Sequence, residues 1–399
     1  MHIYDFDKNR KIIDSELEKR CTKSNEKLNN LKMNYINDNK YNKSEIYSDN
    51  KEIIDIDEIK YPFTRVENKT IGTKSLNSKH IYQNISNKKI DYNKFIGCNF
   101  NNIKFQNCTF FGSIFENCKF DSVQFLNCNF EGEEKIIALF KENCLFESCN
   151  FYKTNMKNTV FENVKFIEVK ISLSSFRNSI FNRCFIYSII FTDCNLKSMK
   201  AIRTGINELS FEDEFISKVD ETTFIDLLNT NVNDKKQYEN SFKIYKSISA
   251  LFEKNRLFNY AGEYYYLSKC IERKYLKGFE KVKSNIFYYS CGYGERPIFA
   301  LISSLEIVLI FSIIYMFSGL CINEKIIHYN LNIFFYLSSK LVYKDFIDCF
   351  YFSLVTFTTV GYGDIFPIGH SVLFSCVEML LGVTMVGIWT ATLARKITR

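Results

Sequence analysis

The chain has 399 residues, 46% of them hydrophobic, with a formal net charge of +7 and fourteen cysteines against four histidines. That length allows two or three domains, and so modest a charge does not single out nucleic acid as a partner. His2, His80, His328 and His370 are scattered away from any Cys-x-x-Cys, and no catalytic dyad, triad or phosphate loop appears. Neither a zinc site nor an enzyme nor a bound cofactor is therefore expected.

Met1 to Arg20 is charged throughout and lacks the apolar core of a signal peptide, which places the N-terminal region in the cytosol with its thiols reduced. Residues 1–90 are rich in Asn, Lys, Ile and Tyr and show no sustained period. They are expected to be largely disordered or irregular, with the part near Ile81 and Tyr82 capping the domain C-terminal to it. Part of the Asn and Lys excess reads as base composition.

From Phe95 a period of five begins: Phe95, Phe100, Phe105, Phe110, Phe115, Phe120, Phe125 and Phe130. It resumes one residue out of phase at Phe146 and continues to Leu196. Two residues before these positions stand small side chains such as Cys98, Cys108, Ser113, Thr154 and Cys184. Five fits neither the helical period of 3.6 nor the strand period of 2. It fits a coil with four sides, one pentapeptide to a side, in which the Phe and the small residue point inward. Over residues 95–200 the sequence resembles the pentapeptide-repeat family, with Cys, Ser or Thr where that family often has Ala.

The resemblance implies a right-handed four-sided β-solenoid, placed at residues 91–200. Nineteen repeats make nearly five coils, a rod of about 20 Å at ~4.8 Å per rung. Eight cysteines fall on the small inward position, where packing explains them better than metal or redox chemistry. Residues Glu131 to Asn143 read as an insertion, a loop or helix that shifts the phase. Some members of the family mimic DNA through an acidic surface. Here Lys104, Lys119, Lys157 and Arg183 balance Glu116, Asp121, Glu162 and Asp193, so the rod reads as a scaffold or docking element for an unknown cytosolic protein or ligand.

Residues 201–296 return to helical periodicity. Phe242, Tyr245, Ile248, Leu251 and Phe252 share one helix face, and a second helix runs from Tyr260 to Leu276. The hairpin resembles one unit of a tetratricopeptide-type repeat, a structural coupler or a ligand sensor. A Gly-Tyr-Gly at Gly292 to Gly294, without a preceding Thr-Thr-Val, is expected to be a turn at the membrane surface.

Residues 297–399 contain two apolar runs, 298–320 and 369–393, each long enough for a bilayer core of about 30 Å. Basic residues flank both on one side, so both termini are expected in the cytosol. Between them, 345–357 reads as a re-entrant pore helix, followed by Thr358-Thr359-Val360-Gly361-Tyr362-Gly363-Asp364. A selectivity filter needs consecutive carbonyls pointing one way, a backbone that glycines at close spacing permit.

This string resembles the potassium-channel pore, and the fold class expected is mixed: β-solenoid, helical hairpin and an all-α two-span pore. The resemblance implies that Thr359, Val360, Gly361, Tyr362 and Gly363 line the ion path and that Asp364 rings the outer mouth. Thr358 supports the filter. So do Tyr351 and Phe352, which stand where many such channels carry two tryptophans. Gly382 or Gly387 is the hinge of the inner helix. The intramembrane acids Glu378 and Glu306 are expected at packing contacts or the pore, Glu378 being the functional one. Four chains close the carbonyl rings, which implies a homotetramer in the lipid bilayer of the cell membrane passing K+ ions. A non-selective cation channel of the same fold stays open, as does a membrane-anchored scaffold with a silent pore.

Overall fold

The computed structural model describes residues 5–39, 51–59, 62–73, 82–131, 136–213, 217–228, 234–322, 325–330 and 339–398. They fall into two compact units, His2–Tyr275 and Leu276–Arg399. Ile81 of the expected cap and 132–135 of the expected insertion lie outside the described residues.

The repeat region of the first unit is a solenoid of parallel strands. Three ladders hold eight, seven and eight strands, and the fourth side is a ladder of single bridges through Thr109, Asn129, Asn155, Ser175 and Asn195. Mixed architecture with a four-sided coil is therefore correct, but its extent is greater than expected. Strands at Ile53–Ile54, Arg65–Glu67, Thr70–Gly72 and Gln83–Ser86 already belong to the ladders, which end only at Phe224–Ile225. Eight rungs separate the first and last strands by about 34 Å. The early coils lack the Phe signature, carrying Val66, Ile71 and Ile85 inward instead. The described part of residues 53–90 is thus built of coils and is not the disordered or irregular segment expected.

Most inward Phe rings stack on a counterpart one coil away, as in Phe95–Phe115–Phe140–Phe161–Phe181 with ring centroids 4.7–5.2 Å apart. Phe140 thus lies in the ladder and not in an inserted loop. Ten positions separate Phe130 from Phe140 where the repeat takes five, and the phase shift follows at Glu142 and Asn143, both at positive φ. Most corners hold a left-handed residue, and Asn supplies it at 102, 107, 117, 127, 158, 163 and 178. Asn tolerates that basin because its short amide bonds locally. Here the amides also bond coil to coil, Asn127 to Asn107 at 2.7 Å and Asn178 to Asn158 at 2.6 Å. The Asn excess within the repeats is therefore structural.

The small inward residue does more than fit. Cys108, Cys184 and Cys194 donate their thiols to carbonyls of the preceding coil at 3.3–3.4 Å, as Thr154 and Ser113 do with their hydroxyls. Burial pushes the Cys149 and Cys184 thiols up to about 12, so they stay neutral donors.

Helix α1 (Phe6–Asn39) covers one ladder along its length. Outward-pointing Val160, Ile180 and Ile202 are fully buried there, against Ile13 and Leu17 of the helix within one core. Arg10 meets Asp226 at 2.8 Å near the last strand, Glu16 meets Lys200 at 2.5 Å, and Tyr35 packs on Phe63 near the first. The helical signal in the sequence was Ile13, Leu17, Cys21 and Ser24, a stripe too thin to stand out among lysines and asparagines.

Helices α2 (Lys235–Lys254) and α3 (Phe258–Tyr275) form the expected hairpin and close the end of the coil. The Tyr264 hydroxyl donates to the Ile225 carbonyl at 2.7 Å and accepts from its N–H at 3.2 Å, and Tyr245 accepts from Leu228 N–H at 2.8 Å. An open strand edge would otherwise pair with another chain. Residues 201–275 thus belong with the solenoid, not with a separate linker.

Phe140→Ala leaves a cavity at the centre of a stacked column and is expected to cost about 3–5 kcal/mol. Tyr152→Ala, on an exposed position, is expected to stay within about 0.5 kcal/mol. Urea midpoints of the two variants measure the difference.

Candidate ion-conduction site

The second unit opens with α4 (Gly278–Cys291) and a turn in which Gly292, Tyr293 and Gly294 all have positive φ. Three consecutive left-handed residues reverse the chain, so this Gly-Tyr-Gly is a turn, and Pro297 starts α5 (Pro297–Ser318) at the position where proline suits a helix. Helix α5 reaches about 33 Å and α7 (Ser371–Ile397) about 40 Å, enough for a bilayer core. Both helices are long and apolar enough to cross a membrane, and they expose Leu301, Leu305, Leu309, Leu373, Leu380 and Val383 in a single chain.

Between them α6 (Ser339–Phe357) is longer than the pore helix expected at 345–357. It is anchored by Asp345, which accepts from Lys325 at 2.5 Å and from the Tyr329 hydroxyl at 2.6 Å. Burial, then the adjacent carboxylate, pushes the Tyr329 phenol up, so it remains a donor. A three-stranded antiparallel sheet, unforeseen in the sequence, joins Leu320–Ile322 to Lys325–Ile327 and to Ile365–Pro367. Strands of three residues carry too little periodicity to be read. The sheet ties the chain just after Asp364 to the end of α5.

The Thr358-to-Asp364 segment leaves α6 through a bond from Val360 N–H to the Val355 carbonyl at 3.0 Å, and the Thr358 hydroxyl donates to Leu354 at 2.7 Å. Thr359, Gly361 and Gly363 have φ of +59°, +58° and +76°, while Val360 and Tyr362 between them do not enter that region. Alternating the two basins turns successive carbonyls to one side, unlike the consecutive run at 292–294. A Cβ at Gly361 or Gly363 would meet nothing within 4 Å, so dihedral freedom and not space is what glycine supplies. Thr359 holds the same basin at a cost of about 1–2 kcal/mol. Val360 and Tyr362 are exposed, Tyr362 to 71%. Among the described residues of one chain, none walls the segment off from solvent at Val360 to Gly363.

The supporting residues divide. Phe352 packs edge-on against Tyr315 of α5 with centroids 4.9 Å apart, so within one chain its ring braces α5. Tyr351 faces the Asp364 carboxylate of its own chain. Glu378 is fully buried between α5, α6 and α7, whereas Glu306 is exposed on α5 in the single chain. Helix α7 runs unbroken through Gly382 and Gly387. A Cβ at Gly382 would stand 1.9 Å from the Phe357 carbonyl oxygen, while one at Gly387 meets nothing within 4 Å. Gly382 therefore allows the inner helix to touch the end of α6. Among the described residues no group of three His, Cys, Asp or Glu could hold a metal ion.

Gly382→Ala is expected to push α7 off α6 and lower the thermal midpoint of the purified protein by several degrees, whereas Gly387→Ala is expected to leave it unchanged. Scanning calorimetry in detergent distinguishes them.

Comparison with known proteins agrees with this geometry. Residues 324–399 match the family described as Ion channel, and residues 95–133 and 144–183 match two families described as Pentapeptide repeats. No curated protein matches. Among solved structures, trypsin-treated QnrB1, a plasmid-mediated fluoroquinolone resistance protein, is 17% identical over 36% of this chain and 76% of its own, with a TM-score of 0.20. Full-length QnrB1 is 15% identical over 43% and 90%, with a TM-score of 0.14. The solenoid assignment stands on the strand ladders of the chain itself. A membrane ion-channel domain thus follows pentapeptide repeats in one polypeptide.

Proposed function

We propose that the C-terminal unit forms a homotetrameric, potassium-selective channel of the cell membrane, with Thr359 to Gly363 from four chains as its filter. The observation that carries this reading is the alternation of left-handed φ at Thr359, Gly361 and Gly363 in a segment left exposed in one chain. Four such segments around an axis present rings of carbonyls that replace the water shell of a dehydrated cation. Non-helical backbone at membrane depth is tolerated where it lines such a path. Asp364 from each chain raises cation concentration at the outer mouth. The basic flanks of α5 and α7 support cytosolic termini, and the solenoid unit then serves regulation or docking through a cytosolic partner.

Reversal potentials in mixed potassium and sodium are expected to follow potassium. Equal permeability would establish the second reading, a non-selective cation channel, which Tyr351 and Phe352 in place of a tryptophan pair favour. Gly361→Ala places a Cβ at φ +58° in every subunit and is expected to abolish flux while the tetramer survives on size exclusion. A cellular phenotype that outlives this substitution would belong to a scaffold with a silent pore.

The linker from Lys277 to Pro297 carries regulation to the pore in this reading. Glu295, almost fully buried in the turn before α5, meets Arg395 in the last turn of α7 at 2.9 Å. Arg395→Gln is expected to change open probability in planar bilayers without altering the reversal potential. An unchanged open probability removes the linker from the gating path.

A further inference from the structure

Glu378 has a place in the pore unit that neither conduction nor the repeats explain. Its carboxyl lies at 0% exposure where α5, α6 and α7 meet. Among the described residues its contacts are two hydroxyls, one from each neighbouring helix. Tyr315 of α5 donates to Oε2 at 2.6 Å, and the Ser353 hydroxyl of α6 lies within hydrogen-bond distance of Oε1. No cation joins them. Ser353 Oγ also lies 2.9 Å from the Val308 carbonyl oxygen of α5.

The proton count along these contacts bears on the state of the group. A serine hydroxyl carries one proton, and a peptide carbonyl can only accept. If Ser353 gives its proton to Val308, its contact with Oε1 is bonded only when the carboxyl carries a proton of its own. If Ser353 gives it to Glu378, two lone-pair oxygens stand 2.9 Å apart within the membrane span. A charged carboxyl here would also lack the partner that a buried charge requires. The Ser312 hydroxyl also donates to the Val308 carbonyl at 2.6 Å, so what separates the two states is the 2.9 Å contact of Ser353 Oγ with that carbonyl, which is bonded in the neutral acid alone: Tyr315 donates to Oε2, Oε1–H donates to Ser353, and Ser353 donates to Val308.

We infer that Glu378 works as a protonated positioning residue, a two-way hydrogen bond that pins α6 to both membrane-spanning helices and so holds the filter that α6 carries. Ser353 lies five residues before Thr358, on the same helix that orients the start of the Thr-Val-Gly-Tyr-Gly segment. The consequence for selectivity rests on the proposed channel function. The protonation state does not.

Two measurements on the full-length chain in lipid vesicles test this. The infrared difference spectrum, wild type minus E378Q, is expected to contain the carbonyl band of a protonated carboxylic acid. Y315F is expected to shift that band upward by removing the bond to the carbonyl. Carboxylate bands in its place, or a band that Y315F leaves unmoved, overturn the inference. In flux assays E378Q, whose amide donates and accepts in the same two directions, is expected to keep the potassium-to-sodium permeability ratio within about twofold, while E378A and S353A lower it by about tenfold. E378Q falling as far as E378A also overturns it. Where wild type itself shows no preference for potassium, the proposed selectivity fails and the infrared band alone decides Glu378.

Discussion

A peptide group that leaves water must find another partner, and both units are solutions to that constraint. In the solenoid each coil gives its N–H and C=O groups to the coils on either side, so no coil is satisfied alone. The end coil is the exposed case, and Tyr264, Tyr245 and Asn255 of the α2–α3 hairpin supply side-chain groups where the next coil would have been. The inward thiols and hydroxyls extend the same principle to carbonyls near the corners. In the channel unit the helices satisfy their own interiors, and among the described residues the exposed Thr358-to-Asp364 segment is non-helical backbone between them. In the proposed channel a cation is the partner for its carbonyls.

This gives the two units opposite sensitivities. The solenoid repeats its contacts, so each Phe column is supported by neighbours above and below, and stability is close to a sum over adjacent coils. The channel unit concentrates its polar contacts at a few buried points: Asp345 beside the three-stranded sheet, Glu378 between three helices, and Glu295 with Arg395 near the end of α7. Loss of one of these has no neighbour to spread across.

The helix α1 adds a third kind of support. The ladder it covers carries Ile114, Leu139, Val160 and Ile180 on its outer face, where the other ladders carry Lys, Asn and Gln at many equivalent positions. A sheet face with that stripe needs a cover, and the ion pairs of Arg10 and Glu16 with Asp226 and Lys200 set the helix in register along it.

The period of five, the placement of Phe and small donors, the two apolar runs and the Thr-Thr-Val-Gly-Tyr-Gly-Asp string were legible in the amino-acid order, because each is a local pattern imposed by backbone geometry. The decoy Gly-Tyr-Gly was legible for the same reason. What escaped were features made by partners distant in sequence. The first coils, where Val66 and Ile71 stand in for Phe, are recognisable only by the ladders they join. The helix α1 shows its purpose only beside Val160 and Ile180, and the three-stranded sheet only when Ile365–Pro367 meets Leu320–Ile322. Gly382 reads as a flexible point in the sequence and becomes a contact once the Phe357 carbonyl lies against it. Glu378 could be singled out as an acid in an apolar run, but its state follows from which hydroxyls surround it. Local dihedral and periodic demands are written residue by residue, whereas burial and proton placement depend on what the fold brings to the same point.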